Sequence, residues 1–446
     1  MTSSTATLSR RSLSRSLAAC AAALCTILTL SGATHAVSAR AVPAPKVTLL
    51  FYNQWIGVQE QYLKEIIRRF ERLHPNIVIK ESVVADTTKI ITAMQGGKPP
   101  DIVDFGLGQF LPEMASKGAL TELDPYMKAA RLNTNIFVPA AVQVDTYNGH
   151  IYGLPFMDFN HALLYNTTLF RRAGITHPPT TLEELETDAY RLTKQDKNGK
   201  IEQMGFIPDW PGGANGQAVN LVDYGWLYGG GWYNEKTKQT TADLPANIKA
   251  LDWETHFYKK YGARNIDNFV KSAGVYLSND VFASGKLAMA YDGEWWLDFA
   301  PPSFEPRIGV APFPAPQGLS RYTGTSFIDN DPQVIPSGSQ HKQEAFAFIQ
   351  YETTNPGVTL YMAPRVYNLS QLKAITATQI SKDPRFKIFV DLSNGPNAHV
   401  FPRVGFAGEM DTKIQNVEAA VLHGQDTPAH ALQALQSDLS NLAGGQ

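Results

Sequence analysis

Between Lys46 and Phe105 the chain switches repeatedly between strand and helix patterns, and few folds accept that rhythm. Lys46 to Tyr52 is an apolar, strand-like run, after which Tyr62, Ile66, Ile67, Phe70 and Leu73 recur at helical spacing. His74-Pro75-Asn76 stops that helix, Ile77 to Ile79 resumes as strand, Thr87 to Gln95 reads as helix, Gly96 to Pro100 turns, and Ile102 to Phe105 is strand again. Such alternation predicts a parallel-type sheet covered by helices. A second block of the same kind begins near Tyr152, with Ala162 to Tyr165 as strand and a helix opening at Thr181. Thr181 and Glu184 fit a capping box, and Leu185, Ala189 and Leu192 continue the helical spacing.

The opening stretch predicts an export signal occupying residues 1–36. Arg10, Arg11 and Arg15 precede an apolar run from Leu17 to Leu30, and the small residues Ala36 and Ala39 offer a first and a second cleavage point. The run is shorter than the ~20 residues a membrane-spanning helix needs. Ser9-Arg10-Arg11-Ser12-Leu13 is similar to a twin-arginine signal but lacks the usual aromatic, so the twin-arginine and general export routes both stay open. Leu17-Ala18-Ala19-Cys20 does not qualify as a lipoprotein box, because most of the apolar run follows the cysteine. Cys20 and Cys25 are the only cysteines, and both leave with the signal, which excludes disulfides and thiolate chemistry from the mature chain.

Removing residues 1–36 leaves 410 of 446, above the ~250–300 at which a single core stops growing, so two domains are expected. A formal net charge of −2 gives no basic surface for nucleic acid or anionic lipid. Residues 212–231 are rich in glycine and aromatics without helical periodicity, as a ligand wall would be.

Several segments, in order, resemble the extracellular solute-binding family of ABC importers, which includes maltose-binding and glycerol-phosphate-binding proteins. They are Val47 to Trp55, Phe70 to Ile77, Pro99-Pro100-Asp101-Ile102-Val103, Tyr152 to Phe156, Tyr165-Asn166 and Phe170 to Gly174. Pro178 to Thr181, Phe282 to Trp295, Gly309 to Pro314 and Val334 to Ser339 follow, then a helix containing Glu344-Ala345-Phe346. The resemblance implies an α/β, two-lobed periplasmic-binding-protein fold of type II, each lobe a mixed sheet flanked by helices, with the ligand cleft between the lobes. It places chain crossings near Pro155, near Val310 and around Tyr351 to Pro356. The N-terminal lobe would then comprise 46–155 plus 310–352, and the C-terminal lobe 156–309 plus 353–446.

A sugar presents C–H faces and rings of hydroxyls, so its site needs aromatic plates and planar polar groups. Trp295 follows Asp292-Gly293-Glu294 where the family presents a tryptophan to the sugar, which makes Trp295 the expected stacking platform, with Asp292 beside it and Trp296 packing the lobe. Trp55 and Asn53 follow the first strand, and Asp104 ends the third, at the carboxyl ends where α/β sheets hold ligands. Trp55 could equally staple a helix entry. Asp101 is read as structural. Asn160, in the polar group Asp158-Phe159-Asn160-His161, is favoured for its two-sided hydrogen bonding, with His161 secondary. Among Trp210, Trp226, Tyr228 and Trp232, Trp232 is ranked first because Gly229-Gly230-Gly231 lets backbone approach a ligand. Arg365 matches a family position that can reach the cleft, its alternative role being an interlobe salt bridge.

The resemblance implies a non-enzymatic substrate-binding component that captures a mono- or oligosaccharide and passes it to a membrane permease, acting as a periplasmic monomer without cofactor or metal. The rivals are a secreted glycoside hydrolase, which needs two carboxyls roughly 5–9.5 Å apart across the scissile bond, and a binder of a polyol or glycerol phosphate. The scattered histidines give no metal-site spacing, and neither a nucleophile elbow nor a phosphate-cradling glycine motif is present.

Overall fold

The computed structural model describes residues 45–444, apart from 85–86, 96–98, 107, 212–218, 273–279, 301–302, 305–306, 377 and 380–382. The expected export signal and residues 212–218 of the glycine–aromatic stretch lie outside the described residues. Among the described residues no helix is long and apolar enough to cross a membrane.

β1 (Val47–Asn53) lies between β2 (Ile77–Val83) and β3 (Ile102–Asp104), parallel to both; its register with β2 runs from Val47 opposite Ile77 to Asn53 opposite Val83. The link from β1 to β2 is α1 (Val58–Leu73), whose Leu63, Ile66, Ile67 and Phe70 form one apolar stripe over the sheet. Alternate strand residues face opposite ways. Leu49, Phe51 and Ile102 join the core under α1, whereas Val103 and Phe105 join a second core with Met114 of α2 (Leu111–Ser116). α3 (Pro139–Val144) follows, and β4 (Gly153–Leu154) closes the first part of this lobe.

The chain then passes through Pro155, Phe156 and Met157 into β5 (Asp158–Asn166), the long, almost wholly buried strand of a second sheet. In this lobe α4 (Leu182–Leu192) starts at Thr181, whose hydroxyl accepts the N–H of Glu184 at 3.2 Å; the Glu184 carboxylate returns to the N–H of Thr180 at 2.7 Å, one residue earlier than a capping box requires. α5 (Val219–Leu227) and α6 (Pro245–Tyr261) pack over an aromatic core of Phe206, Trp210, Tyr224, Trp253, Phe257, Tyr291 and Phe313. β6 (Met289–Gly293) pairs antiparallel with one edge of β5.

The second crossing differs from the expected position near Val310. β7 (Ile308–Ala311) pairs antiparallel with Leu163–Asn166 of β5, and the Tyr165 ring lies where a side chain on Gly309 would stand, a Cβ there meeting it at 2.2 Å. β8 (Ser326–Asn330) pairs with Asp158–Asn160 of the same strand. Only after Asp331-Pro332 does the chain re-enter the first sheet as β9 (Gln333–Val334), antiparallel to both β3 and β4. The third crossing is later too. α7 (Lys342–Thr354) and α8 (Pro356–Val366) both cover the first sheet, Phe348 packing edge-on against Phe51 and Phe70 at 5.5 and 5.1 Å. Leu369 already belongs to the second core, Leu372 and Ile375 return to the first, and the chain stays with the second core from Phe386, where α9 (Phe386–Ser393) begins. β10 (Ala398–His399) pairs parallel with β8, and α10 (Ala407–Leu422) lies over α5 and α6. Ile308, Ala311, Phe313 and Phe327 are thus buried in the second core, and Val358, Met362, Ala363, Val366, Leu372 and Ile375 in the first.

Candidate functional site

The carboxyl ends of β1 and β3 meet the start of β5 and the end of β8 along a seam between the two lobes. Asp104, wholly buried at the end of β3, accepts the Trp55 indole N–H at 2.6 Å, while its Oδ1 has no hydrogen-bond partner among the described residues; burial pushes its carboxyl up to about 6. Asn53 shapes the turn after β1: its Oδ1 accepts the Trp55 backbone N–H at 3.0 Å and its amide donates to Glu81 at 3.0 Å. Trp55 stands edge-on to Phe156 in the first crossing, with centroids 6.3 Å apart, and belongs to the first lobe's core. Gln54 turns the other way and donates to Asp331 in the second crossing at 2.8 Å. Gly106, at φ 65°, makes room, since a Cβ there would lie 2.4 Å from the Gln54 amide.

From the second lobe, β5 brings Asp158 and Asn160. The Asn160 amide donates to the Phe389 carbonyl at 2.7 Å and to Ser393 Oγ at 2.5 Å, its backbone N–H donates to Glu294 Oε2 at 3.3 Å, and its Oδ1 has no partner in the protein. Trp295 is half-buried; its ring folds back over Gly293, where a Cβ would fall 1.8 Å from it, and stands edge-on to Phe159 and His161 at 5.2 and 5.1 Å. Trp296 is fully buried against Phe282 and Phe304. Asp292 points into the lobe instead of the seam, accepting the Trp210 indole N–H at 2.9 Å and the Gly293 N–H at 2.8 Å, and burial pushes it up to about 8.

Two expected residues lie elsewhere. Trp232 is a core residue whose indole donates to the Val222 carbonyl at 3.0 Å. Two of the glycines before it make room for protein side chains, since a Cβ on Gly229 would meet the Tyr322 hydroxyl and one on Gly230 the Asn247 amide, while Gly231 faces open space. Arg365 is exposed on α8, stacked 4.1 Å over Tyr361 and 5.8 Å from the Tyr62 ring of α1, with Nη1 donating to the Tyr361 carbonyl at 2.6 Å. Among the described residues it forms no salt bridge. Asp101 is structural as read, accepting the Leu50 N–H and the Ser339 hydroxyl at 3.0 and 2.7 Å.

The seam's strongest feature escaped the motif reading. Asp145, Asp158, Asp329, Asp331 and Glu294 join Asp104 as buried acids. Burial, and then in most of them repulsion from neighbouring carboxylates, holds Asp145, Asp158, Asp331 and Glu294 well above the usual carboxylate range and raises Asp329 to about 7. The Arg403 guanidinium offsets the charge on Asp145 and Asp329. Both oxygens of Asp145, Oδ1 of Asp158, Oδ2 of Asp329, Oδ1 of Asn330 and Oε1 of Gln333 lack hydrogen-bond partners among the described residues. Leaving such groups unpaired is costly, so the seam is built to receive several O–H or N–H donors at once. Asp329-Asn330-Asp331 between Ile328 and Val334 was the available signal: three polar residues inside a strand-forming run. For a metal, Glu122, Asp124 and His150 bring three ligand atoms within 4.8 Å at the surface, where Asp124 already accepts the Ile151 N–H at 2.9 Å.

Residues 57–359 match the family model described as bacterial extracellular solute-binding protein. The structure of CpMnBP1 with mannobiose bound superposes with a TM-score of 0.78 at 31% identity, covering 88% of this chain and 99% of that one. An uncharacterized ABC transporter extracellular-binding protein of Pyrococcus horikoshii is 30% identical over 347 residues, 74% of each chain. A maltotriose-binding protein of Pyrococcus abyssi is 23% identical over 339 residues, 73% of this chain and 66% of its own length. Two α/β lobes with a polar seam between them, and a match over most of the chain, place this protein in the bacterial extracellular solute-binding family, with the type II periplasmic-binding-protein fold.

Proposed function

We propose that the protein captures a carbohydrate outside the cytoplasmic membrane and delivers it to the permease of an ABC importer, without catalysing a reaction. The observation that carries this reading is the set of unpaired, buried acceptors at the lobe seam beside the half-buried Trp295. A polyhydroxylated ring offers hydroxyl donors to the acceptors and a C–H face to the indole. The mannobiose-bound neighbour and the maltotriose-binding relative support the same ligand class. A phosphorylated ligand suits the seam poorly, because buried carboxylates there outnumber the guanidinium of Arg403 and disfavour a further anion. Closure is favoured by the ligand because only the closed form touches it from both lobes. Export by the leader to the periplasm, as a monomer, completes the proposal.

Thermal-shift screening against a panel of mono- and oligosaccharides tests the ligand class, with stabilisation by at least one neutral sugar and none by glycerol phosphate expected. Prolonged incubation with the sugars that bind tests the absence of catalysis: stoichiometric retention is expected, and release of shortened products would establish a hydrolase instead.

A further inference from the structure

Arg403 lies between β10 and α10, in the second lobe, yet its hydrogen bonds are to the first. Nη1 donates to the Gly108 carbonyl at 3.0 Å, Nε to the Thr146 carbonyl at 3.3 Å, and Nη2 to the Val144 carbonyl. Its charge acts on Asp145 of the first lobe and Asp329 of the second. The residues after it touch the first lobe twice more: the Ser116 hydroxyl donates to the Gly405 carbonyl at 3.1 Å, and the Glu409 N–H donates to Glu113 Oε2 at 3.1 Å. Gly408 completes the contact, since a Cβ there would fall 2.5 Å from the Phe110 ring. None of these groups belongs to a chain crossing, so covalent connection does not oblige them to meet. A planar guanidinium is suited to three separate carbonyls in a way a single ammonium is not.

We infer that Arg403 is a latch: its fork ties the second lobe to three carbonyls of the first, and so sets the closed fraction of the protein before any ligand arrives. The apparent dissociation constant varies inversely with that fraction. Only the affinity arm of the test rests on the capture reading above.

Small-angle scattering of the purified, sugar-free protein is the decisive measurement, comparing wild type with Arg403→Gln, Arg403→Lys and Gly408→Val. Gly408→Val wedges the same contact apart without altering charge. The expected result is a larger radius of gyration for Arg403→Gln and Gly408→Val, with Arg403→Lys between them and wild type. Circular dichroism melting separates opening from unfolding, and Arg403→Lys, which keeps the charge against Asp145 and Asp329, supplies the comparison if Arg403→Gln does not fold. A radius unchanged in folded Arg403→Lys and Gly408→Val overturns the latch. With mannobiose and maltotriose as probes, about tenfold weaker binding is expected in the opened variants for whichever probe wild type binds. An opened variant that keeps wild-type affinity overturns the control of affinity. If wild type binds neither probe, the ligand assignment is at fault, and the scattering result still decides the latch.

Discussion

Raising the pH from 5 to 8 should destabilise this protein, and the pair Glu254 and Glu418 provides a sharp test of why. Glu254 on α6 and Glu418 on α10 are buried in the second lobe close enough for their charges to repel, so the pair retains a proton to higher pH than free carboxyls do. Burial, then the Glu418 charge, holds Glu254 well above its ordinary value, and burial pushes Glu418 up to about 8. In the unfolded chain both acids ionise near 4.3. Between that value and about 8 the folded state therefore holds more protons than the unfolded one, and stability is fully present below pH 4 and falls as pH rises. Each retained proton steepens the fall by about 1.4 kcal/mol per pH unit. Glu254→Gln keeps a donor toward Glu418 without a proton to lose, so urea unfolding at intervals from pH 5 to 8 should show a shallower slope, by close to one proton, and a gain in stability at pH 8. A variant slope as steep as wild type, or a wild-type stability that rises across this range, would refute the account of a proton retained by burial.

Three further outcomes follow from the geometry. Trp295→Ala should weaken sugar binding by about 2 kcal/mol, roughly thirtyfold by calorimetry, while shifting the melting temperature little because the ring is half-exposed. Gly108→Ala places a Cβ 2.2 Å from Val144 and 2.3 Å from the Asp329 carboxylate, so it should cost about 1–3 kcal/mol in urea unfolding and weaken binding as well. Arg365→Ala, on the outer face of the first lobe, should leave sugar affinity within twofold of wild type in the same calorimetric assay.

The fold class was legible because it rests on local periodicity: β1, α1, β2 and β3 each announce themselves through apolar spacing. What periodicity does not carry is the partner a strand chooses. Ile308–Ala311 and Ser326–Asn330 read equally well for either sheet, and the choice of β5 rests on long-range pairing, including a glycine that makes way for Tyr165. The site was legible by element and less so by side chain. The sequence reading pointed to Asp104 and Asn160, both of them buried, and to Trp295, half-buried beside Phe159 and His161. It also named Asn53 and Asp292, whose oxygens accept neighbouring N–H groups, and Trp55, whose indole N–H donates to Asp104, because direction depends on rotamer and surroundings that spacing does not encode. Trp232 was misplaced for a related reason: three consecutive glycines permit close approach without specifying what approaches. Arg403 carries no motif at all, and its importance is visible only from the carbonyls it reaches.

The first two crossings are not independent strings. β4 with β9 and β5 with β8 are antiparallel pairs, and between them the Asp331 N–H donates to the Phe156 carbonyl at 2.9 Å, so a nearly unbroken two-stranded ribbon runs from lobe to lobe. Such a ribbon bends across its thin dimension and resists sliding along its length, because sliding would break every rung together. The halves are thereby confined to one principal swing, and a guest seated off that arc would meet acceptors from one side only.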